Sequence, residues 1–260
     1  MKRSNKGIIM FFAAISLIMI VLGTCFVFKD SISKLDSPKE GNEISDTAKK
    51  PVEKPKKTTS NSGKVAYITI DDGPSKYTNR ILDILDTNGV KATFFMIDGN
   101  MKKYPDEVKR VQEEGHSVGF HSVTHEVKEL YKTPEATVKE FETCQETFLD
   151  LTGEVSNLIR VPYGSKPYMP EKSHEALAKN GYIMWDWNLD TQDWKGTTDN
   201  IVSNVLYYGR DNPNLVVLIH EKEQTVEALD SMIKVLKERD YNIVPISEDV
   251  KALNFWDKSI

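Results

Sequence analysis

Short apolar runs alternate with amphipathic segments from residue 64 onward, and this alternation constrains the fold more than any other feature. The seven runs are VAYITI, ATFFMI, SVGFHS, LIRVPYG, IMWDWNLD, LVVLIH and NIVPIS. Between them, apolar residues recur three or four positions apart, which is typical of helices that bury one face. Apolar strands that alternate with helices predict βα units and a parallel sheet. Seven units in fewer than 200 residues predict an α/β fold with a closed or nearly closed barrel.

The clearest helical stripe in this region consists of Val138, Phe141, Cys144, Phe148 and Leu151. Because it lies on this stripe, Cys144 is expected to be a buried thiol of the core. The other cysteine, Cys25, lies in an apolar segment near the N-terminus. The sequence therefore predicts no disulfide framework.

That N-terminal apolar segment, Ile8–Phe28, carries no charge and has about the 20 residues that a membrane-spanning helix needs. Basic residues precede it, so residues 1–7 are expected to form a cytoplasmic tail, with the rest of the chain outside the cell. A cleaved signal peptide is the alternative, although no typical small-residue cleavage site is present. The sequence LGTC at 22–25 faintly resembles a lipoprotein cleavage box, which keeps a lipid-anchored form open.

Residues 29–63 are rich in Lys, Ser, Thr, Pro and Glu and are expected to form a flexible linker. Residues 64–260 then form the folded domain. The first 63 residues carry a net charge of +5, whereas the remainder carries −10. An acidic domain is a poor candidate for nucleic-acid binding, which requires clustered Lys and Arg.

Polar residues recur where the predicted strands end. In parallel barrels the carboxyl ends of the strands form one mouth, where active sites lie. The residues at or near these ends are Asp71, Asp72, His121, Arg160, Asp190 and His220. Their repeated occurrence predicts one shared site.

The segment HSVTH places His121 and His125 four positions apart, so on a helical turn both imidazoles would face one side. With a carboxylate they would form a His-His-Asp metal site that leaves positions open for water, the pattern of catalytic zinc. In the tandem Asp71-Asp72, one carboxylate could hold the metal while the other accepts a proton. The alternative is a plain turn in which an aspartate caps the next helix.

Other polar and aromatic residues allow both structural and functional interpretations. Arg160 could pair with a carboxylate at the mouth and keep it ionised, or belong to a rigid turn. Trp194 could stack on a sugar ring or simply pack against a loop. His116 is expected to be structural, and His174 is expected to be exposed.

Five segments together resemble the motifs of the polysaccharide deacetylase family, also called carbohydrate esterase family 4, in order and approximate spacing. They are TIDDGP (69–74), HSVTH (121–125), RVPYG (160–164), DTQDW (190–194) and LIH (218–220). Two departures are small: Ile70 stands where the family often has Phe, and the run after the second strand is one residue longer. Neither departure removes a functional group.

The resemblance implies a deformed (β/α) barrel and one divalent metal ion held by Asp72, His121 and His125. Zinc is the expected ion, and cobalt or nickel would suit the same ligands. Asp71 would be the catalytic base and His220 the general acid. The supporting residues would be Arg160, which orients the base, Tyr163, whose N–H holds the oxyanion, Asp193, which partners His220, Trp194, which walls the groove, and Leu218, which lines the acetyl pocket.

The activity that this resemblance implies is metal-dependent removal of N-acetyl groups from an N-acetylglucosamine polysaccharide. Peptidoglycan is the favoured substrate, because an exported domain on a short tether at a bacterial membrane meets the cell wall first. Chitin oligomers, poly-N-acetylglucosamine and acetylated xylan remain alternatives. More distant alternatives are a metal phosphoesterase and a non-catalytic wall-binding protein.

Overall fold

The computed structural model describes residues 63–256 of the chain. The predicted tail, membrane segment and most of the linker lie outside these residues, as do the last four positions. Within the described part, no helix combines the length and apolar character needed to cross a bilayer.

Eight parallel strands form one sheet in the order β5-β4-β3-β2-β1-β7-β6, with β8 paired to the beginning of β1. No pairing between β5 and β6 closes the sheet within residues 63–256. The described residues therefore form a curled half-barrel, which agrees with the predicted α/β class and is consistent with a deformed barrel. The strands are β1 (Val65–Gly73), β2 (Thr93–Met96), β3 (Ser117–Phe120), β4 (Leu158–Ile159), β5 (Ile183–Met184), β6 (Leu189–Asp190), β7 (Asn214–His220) and β8 (Asn242–Ile243).

Helices connect the strands and cover the sheet. They are α1 (Thr78–Thr87), α2 (Asp98–Lys103), α3 (Pro105–Glu113), α4 (Val127–Leu130), α5 (Pro134–Thr152), α6 (Glu171–Lys179), α7 (Thr198–Tyr208) and α8 (Glu223–Glu238). The predicted stripe on α5 is buried at Val138, Phe141, Cys144 and Phe148, so Cys144 is a core thiol as predicted.

The ends of α5 follow from local chemistry. The side chain of Thr133 accepts a hydrogen bond from the Ala136 N–H at the N-terminus, and Pro134 occupies the first helical turn, where its missing N–H costs nothing. At the other end Gly153 adopts a left-handed conformation with φ 76°. These signals and the buried stripe fix α5 firmly against the sheet.

The predicted strand IMWDWNLD is instead two short strands, β5 and β6, which pair with different neighbours. The physical reason lies in the intervening backbone. The carbonyls of Trp185 and Asp186 accept hydrogen bonds from the buried guanidinium of Arg160, and the Asp186 N–H donates to Leu253 O. Those backbone groups are therefore not available to a continuous ladder, and between residues 63 and 256 the sheet has eight strands rather than the predicted seven.

Two histidines lie away from the strand ends that carry the motifs. His174 is buried and stacks on Trp256 at 4.5 Å, so the prediction that it is exposed was wrong. Trp256, far along the chain, covers this ring on α6, and local sequence does not show such a contact. His116 is buried, its Nδ1 accepts from the Ala92 N–H, and burial lowers its pKa to about 4. It is therefore neutral near pH 7, in keeping with a structural role.

Candidate active site

The tandem aspartates lie within the last three residues of β1. In a regular strand their side chains would point to opposite faces. Here the register with β2 shifts between Asp71 and Gly73, and Asp72 has a φ of 70°. This bulge re-aims Asp72. As a result Asp71 Oδ2 and Asp72 Oδ1 lie 3.7 and 3.6 Å from the same atom, His121 Nε2.

Asp71 is paired with a fully buried arginine. Arg160 Nη1 donates to Asp71 Oδ1 at 2.9 Å and to Thr69 Oγ1 at 2.7 Å. Its Nε and Nη2 donate to the backbone carbonyls of Trp185 and Asp186, between β5 and β6. A buried cation needs an anionic partner and satisfied hydrogen bonds, and Arg160 has both. The pairing fixes one oxygen of Asp71 and leaves Oδ2 facing the histidines.

The buried ring of His121 is oriented by a backbone carbonyl. Its Nδ1 lies 2.7 Å from Arg160 O. Because a carbonyl can only accept, Nδ1 carries the hydrogen and Nε2 presents a lone pair toward the carboxylates. Burial lowers the pKa of His121, which favours the neutral ring that a metal ligand requires.

His125 reaches the site through an irregular loop after β3, not through the predicted helical turn. Ser122 and His125 have φ values of 72° and 55°, outside the helical region. The His125 N–H donates to Ser122 Oγ at 3.0 Å. The loop places the His125 ring 5.1 Å from that of His121. The two imidazoles therefore lie together, although the predicted helical turn was wrong.

Asp72, His121 and His125 form a cluster suited to one cation. Asp72 Oδ1 lies 3.6 Å from His121 Nε2 and 3.4 Å from His125 Nε2, and the three ligand atoms all lie within 4.8 Å of one another. Asp72 Oδ1 is buried and has no hydrogen-bond partner among the described residues. Zinc ligands at 2.0–2.2 Å in tetrahedral arrangement would be about 3.4 Å apart. The residues present therefore fit a divalent metal ion.

His220 stands beside Asp71, its register partner across β1 and β7. Its Nδ1 lies 2.7 Å from Asp193 Oδ1, and its backbone N–H donates to Asp193 Oδ2 at 2.6 Å. Burial lowers the pKa of His220, but the hydrogen bond to Asp193 and the nearby carboxylates outweigh it, so the pKa is raised overall. The raised pKa favours the protonated form of the His220 imidazole.

The other predicted site residues surround this group. Tyr163, with φ 65°, is 56% exposed, and its ring lies 4.9 Å from that of His125. Its N–H donates no hydrogen bond within residues 63–256, so it is free to donate to an external oxygen. Trp194 is 53% exposed. Leu218 is buried on the same side of β7 as His220, two positions earlier.

Two buried acids near the motifs were missed by the sequence analysis. Asp186 accepts hydrogen bonds from the N–H and hydroxyl of Ser165 and from the Phe255 N–H, which ties the RVPYG loop to the C-terminal segment. Its position in the run IMWDWNLD was the available signal, because a charged residue inside an apolar run requires partners.

Glu221, directly after His220, accepts hydrogen bonds from Ser75 Oγ and Thr78 Oγ1. A Cβ atom at Gly73 would lie 2.2 Å from Glu221 Oε1, so a larger residue in the DDG segment would displace the Glu221 carboxylate. Glu221 therefore joins the turn after the tandem aspartates to the strand that carries His220. Its place beside LIH was the only signal in the sequence.

Paired carboxylates, two imidazoles and a carboxylate-supported histidine at one mouth define a class of protein, the metal-assisted hydrolases. Comparisons with known proteins identify the family. The family model described as polysaccharide deacetylase matches residues 58–185. A peptidoglycan-N-acetylglucosamine deacetylase of Bacillus cereus is 36% identical over 237 residues, covering 88% of this chain and 84% of the relative.

Comparison with solved structures leads to the same family. The crystal structure of the polysaccharide deacetylase Bc1974 from Bacillus cereus matches with a TM-score of 0.71 and 39% identity, covering 74% of this chain and 97% of that one. The catalytic domain of a peptidoglycan N-acetylglucosamine deacetylase from Eubacterium rectale matches with a TM-score of 0.68 and 29% identity, covering 73% and 91%. The chain belongs to the polysaccharide deacetylase family.

Proposed function

We propose that this protein removes N-acetyl groups from N-acetylglucosamine residues of peptidoglycan and releases acetate. The observation that carries the proposal is the convergence of Asp72, His121 and His125, with Asp71 and His220 beside them. The choice of peptidoglycan is supported by the Bacillus cereus relative, whose name states that substrate. Chitin oligomers, poly-N-acetylglucosamine and acetylated xylan are the alternatives.

Asp72, His121 and His125 would hold one divalent cation, with zinc as the first candidate and cobalt or nickel as alternatives. When bound, such an ion supplies Lewis acidity, which polarises the acetyl carbonyl and lowers the pKa of a coordinated water. His121 is pre-oriented for this role by its hydrogen bond to Arg160 O.

Asp71 is the proposed base. Arg160 fixes its Oδ1, and Oδ2 faces the histidine cluster, where it can accept the proton of the attacking water. As the water oxygen bonds to the acetyl carbon, negative charge develops on the carbonyl oxygen. The free N–H of Tyr163 is the proposed donor to this oxyanion.

His220 is the proposed general acid. An amine is a poor leaving group as an anion, so the nitrogen must receive a proton as the C–N bond breaks. The imidazolium of His220 would give that proton, and Asp193 stabilises its charge from the opposite side. Trp194 and Leu218 would then wall the sugar groove and the acetyl pocket.

Asp193→Asn is expected to shift the alkaline limb of the pH profile of kcat/KM to lower pH. Removing the Asp193 charge lowers the pKa of His220, so the acid loses its proton earlier as pH rises. In that alkaline range the rate should fall by up to about 10²–10⁴-fold. The His220–Asp193 pair also stabilises the folded protein. This stabilisation is complete below about pH 6.5 and is lost as pH rises through the raised pKa of His220.

Full pH–rate profiles of wild type and Asp193→Asn test this expectation. Asp190→Asn is the matched control, because Asp190 also ends a strand at the mouth but its carboxylate accepts from a local N–H, that of Gln192. An alkaline limb that stays in place in Asp193→Asn removes His220 from the acid role.

The proposed location is the outer face of a bacterial cell membrane, with residues 8–28 spanning it and residues 29–63 as the tether. The support is the uncharged length of the first segment and the composition of the second. A secreted or lipid-anchored form after cleavage is the alternative.

Acetate release from purified peptidoglycan tests activity and location together. The membrane fraction of cells that express the full chain should release acetate, a chelator should abolish the release, and added zinc should restore it. Parallel assays on chitin oligomers, poly-N-acetylglucosamine and acetylated xylan rank the substrates. Release of phosphate from phosphoesters, or binding to the wall without acetate release, would contradict the proposal, and activity in the medium would favour the cleaved form.

A further inference from the structure

The loop that carries both imidazoles has an unfavourable backbone. Ser122 and His125 lie in the left-handed region, although neither is glycine. Such conformations persist only when the surroundings hold them. The loop of residues 121–126 therefore needs contacts that fix it in this shape before it can present His125 beside His121.

Glu140, on the neighbouring helix α5, supplies contacts of this kind. Its Oε2 accepts hydrogen bonds from the Val123 N–H at 2.7 Å and the Thr124 N–H at 2.9 Å. Its Oε1 accepts from Thr124 Oγ1 at 2.9 Å. Both carboxylate oxygens are thus used on the two residues that lie between Ser122 and His125. Successive N–H groups that converge on one anion form strong, charge-assisted contacts.

The part of α5 that carries Glu140 is held firmly by the core. The next residue on α5, Phe141, is fully buried, and so is Cys144 one turn later. The helix is capped at both ends, so the Glu140 carboxylate stands on an element whose position is set by the core. It can therefore transmit the position of α5 to the loop.

We propose that Glu140 is a positioning residue for the metal centre, which locks the loop so that His125 is held in place before the ion arrives. The inference rests on the proposed metal-dependent function. Within residues 63–256 the Glu140 carboxylate bonds to Val123 and Thr124 and to none of the three predicted ligands, so it acts on the site through these two loop residues. A loop that is already ordered loses less conformational freedom on binding, so the locked loop raises metal affinity.

Glu140→Gln tests this inference in the full-length protein. Glutamine keeps the shape but offers one acceptor oxygen and no charge. After removal of metal, titration with zinc against a competing chelator should show affinity about 10–100-fold weaker than wild type. Because Glu140 does not take part in the chemistry, kcat at saturating zinc should return close to the wild-type value.

Glu146→Gln is the matched control, since it removes the same charge from the same helix at an exposed position whose ion pair is with Lys139. Its zinc affinity should equal that of wild type. Thr124→Val gives a second test at an exposed position, should Glu140→Gln fold poorly. It removes one of the three hydrogen bonds to Glu140, together with the weaker bond that Thr124 Oγ1 accepts from the Glu126 N–H, and should weaken zinc binding about 2–10-fold.

The inference is overturned if folded Glu140→Gln binds zinc as tightly as Glu146→Gln, or if saturating zinc fails to restore its kcat. Should Glu140→Gln not fold, unchanged affinity in Thr124→Val overturns it. A wild-type protein that binds no divalent cation would instead refute the proposed function, so the two failures are distinguishable.

Discussion

Asp71→Asn is expected to remove most of the acetate release while the protein still binds its metal ion. Asparagine has nearly the same shape but cannot accept the proton of the attacking water. A positioned base contributes about 10²–10⁴-fold to the rate, so kcat/KM should fall by about the same factor. The predicted ligands Asp72, His121 and His125 are unchanged, and metal content should remain at the wild-type level. Rates of acetate release and metal analysis of the same preparation measure both.

The substitution also leaves the buried guanidinium of Arg160 without its anionic partner. Breaking such a pair costs about 3–5 kcal/mol of unfolding free energy, so thermal melting must be followed alongside activity. Asp190→Asn, another aspartate at a strand end, should leave rate and stability nearly unchanged. A folded Asp71→Asn protein that hydrolyses substrate at the wild-type rate would exclude Asp71 as the base.

The tandem aspartates show how far sequence reasoning reaches. The apolar run before Asp71 predicts a strand, and the position of the acids predicts the mouth of the barrel. Regular alternation, however, places Asp71 and Asp72 on opposite faces. The bulge and the positive φ of Asp72 bring both acids to His121, and these features depend on pairing with β2, which is distant in sequence.

The HSVTH segment brings its two imidazoles together, but not on the predicted helical turn. A spacing of four is equally compatible with a helical turn and with a loop that doubles back. The contacts that hold the loop come from other elements: Arg160 O accepts a hydrogen bond from His121, and the Glu140 carboxylate on α5 accepts from the loop N–H groups. On an amphipathic helix Glu140 looks like any solvent-facing acid, so no local pattern identifies it.

The division of IMWDWNLD has a similar origin. Its composition predicts one strand, because apolar and aromatic residues dominate it. The buried guanidinium of Arg160 takes two of its carbonyls, and this demand arises only when β4 stands next to the segment. Local pattern thus predicts most elements and which polar residues lie at the mouth, whereas bulges, loop shapes and supporting acids arise from contacts between segments far apart in the chain.

His121→Ala is expected to abolish both metal binding and acetate release, in contrast to Asp71→Asn. The imidazole supplies one of three predicted ligands, its ring is oriented by the hydrogen bond to Arg160 O, and burial lowers its pKa. Changes to residues that only support a ligand reduce metal affinity about 10–100-fold, so loss of the ligand itself should exceed about 100-fold. Metal content after dialysis and acetate release measure the two effects.

His174→Ala serves as the control, because it removes another buried imidazole, one that stacks on Trp256 rather than facing the cluster. It should retain metal, although its melting temperature should fall. If His121→Ala kept a full equivalent of tightly bound zinc, the ion would have to lie elsewhere, and the assignment of Asp72, His121 and His125 would be wrong. Loss of metal in His121→Ala together with its retention in Asp71→Asn would separate the residues that hold the ion from the residue that moves the proton.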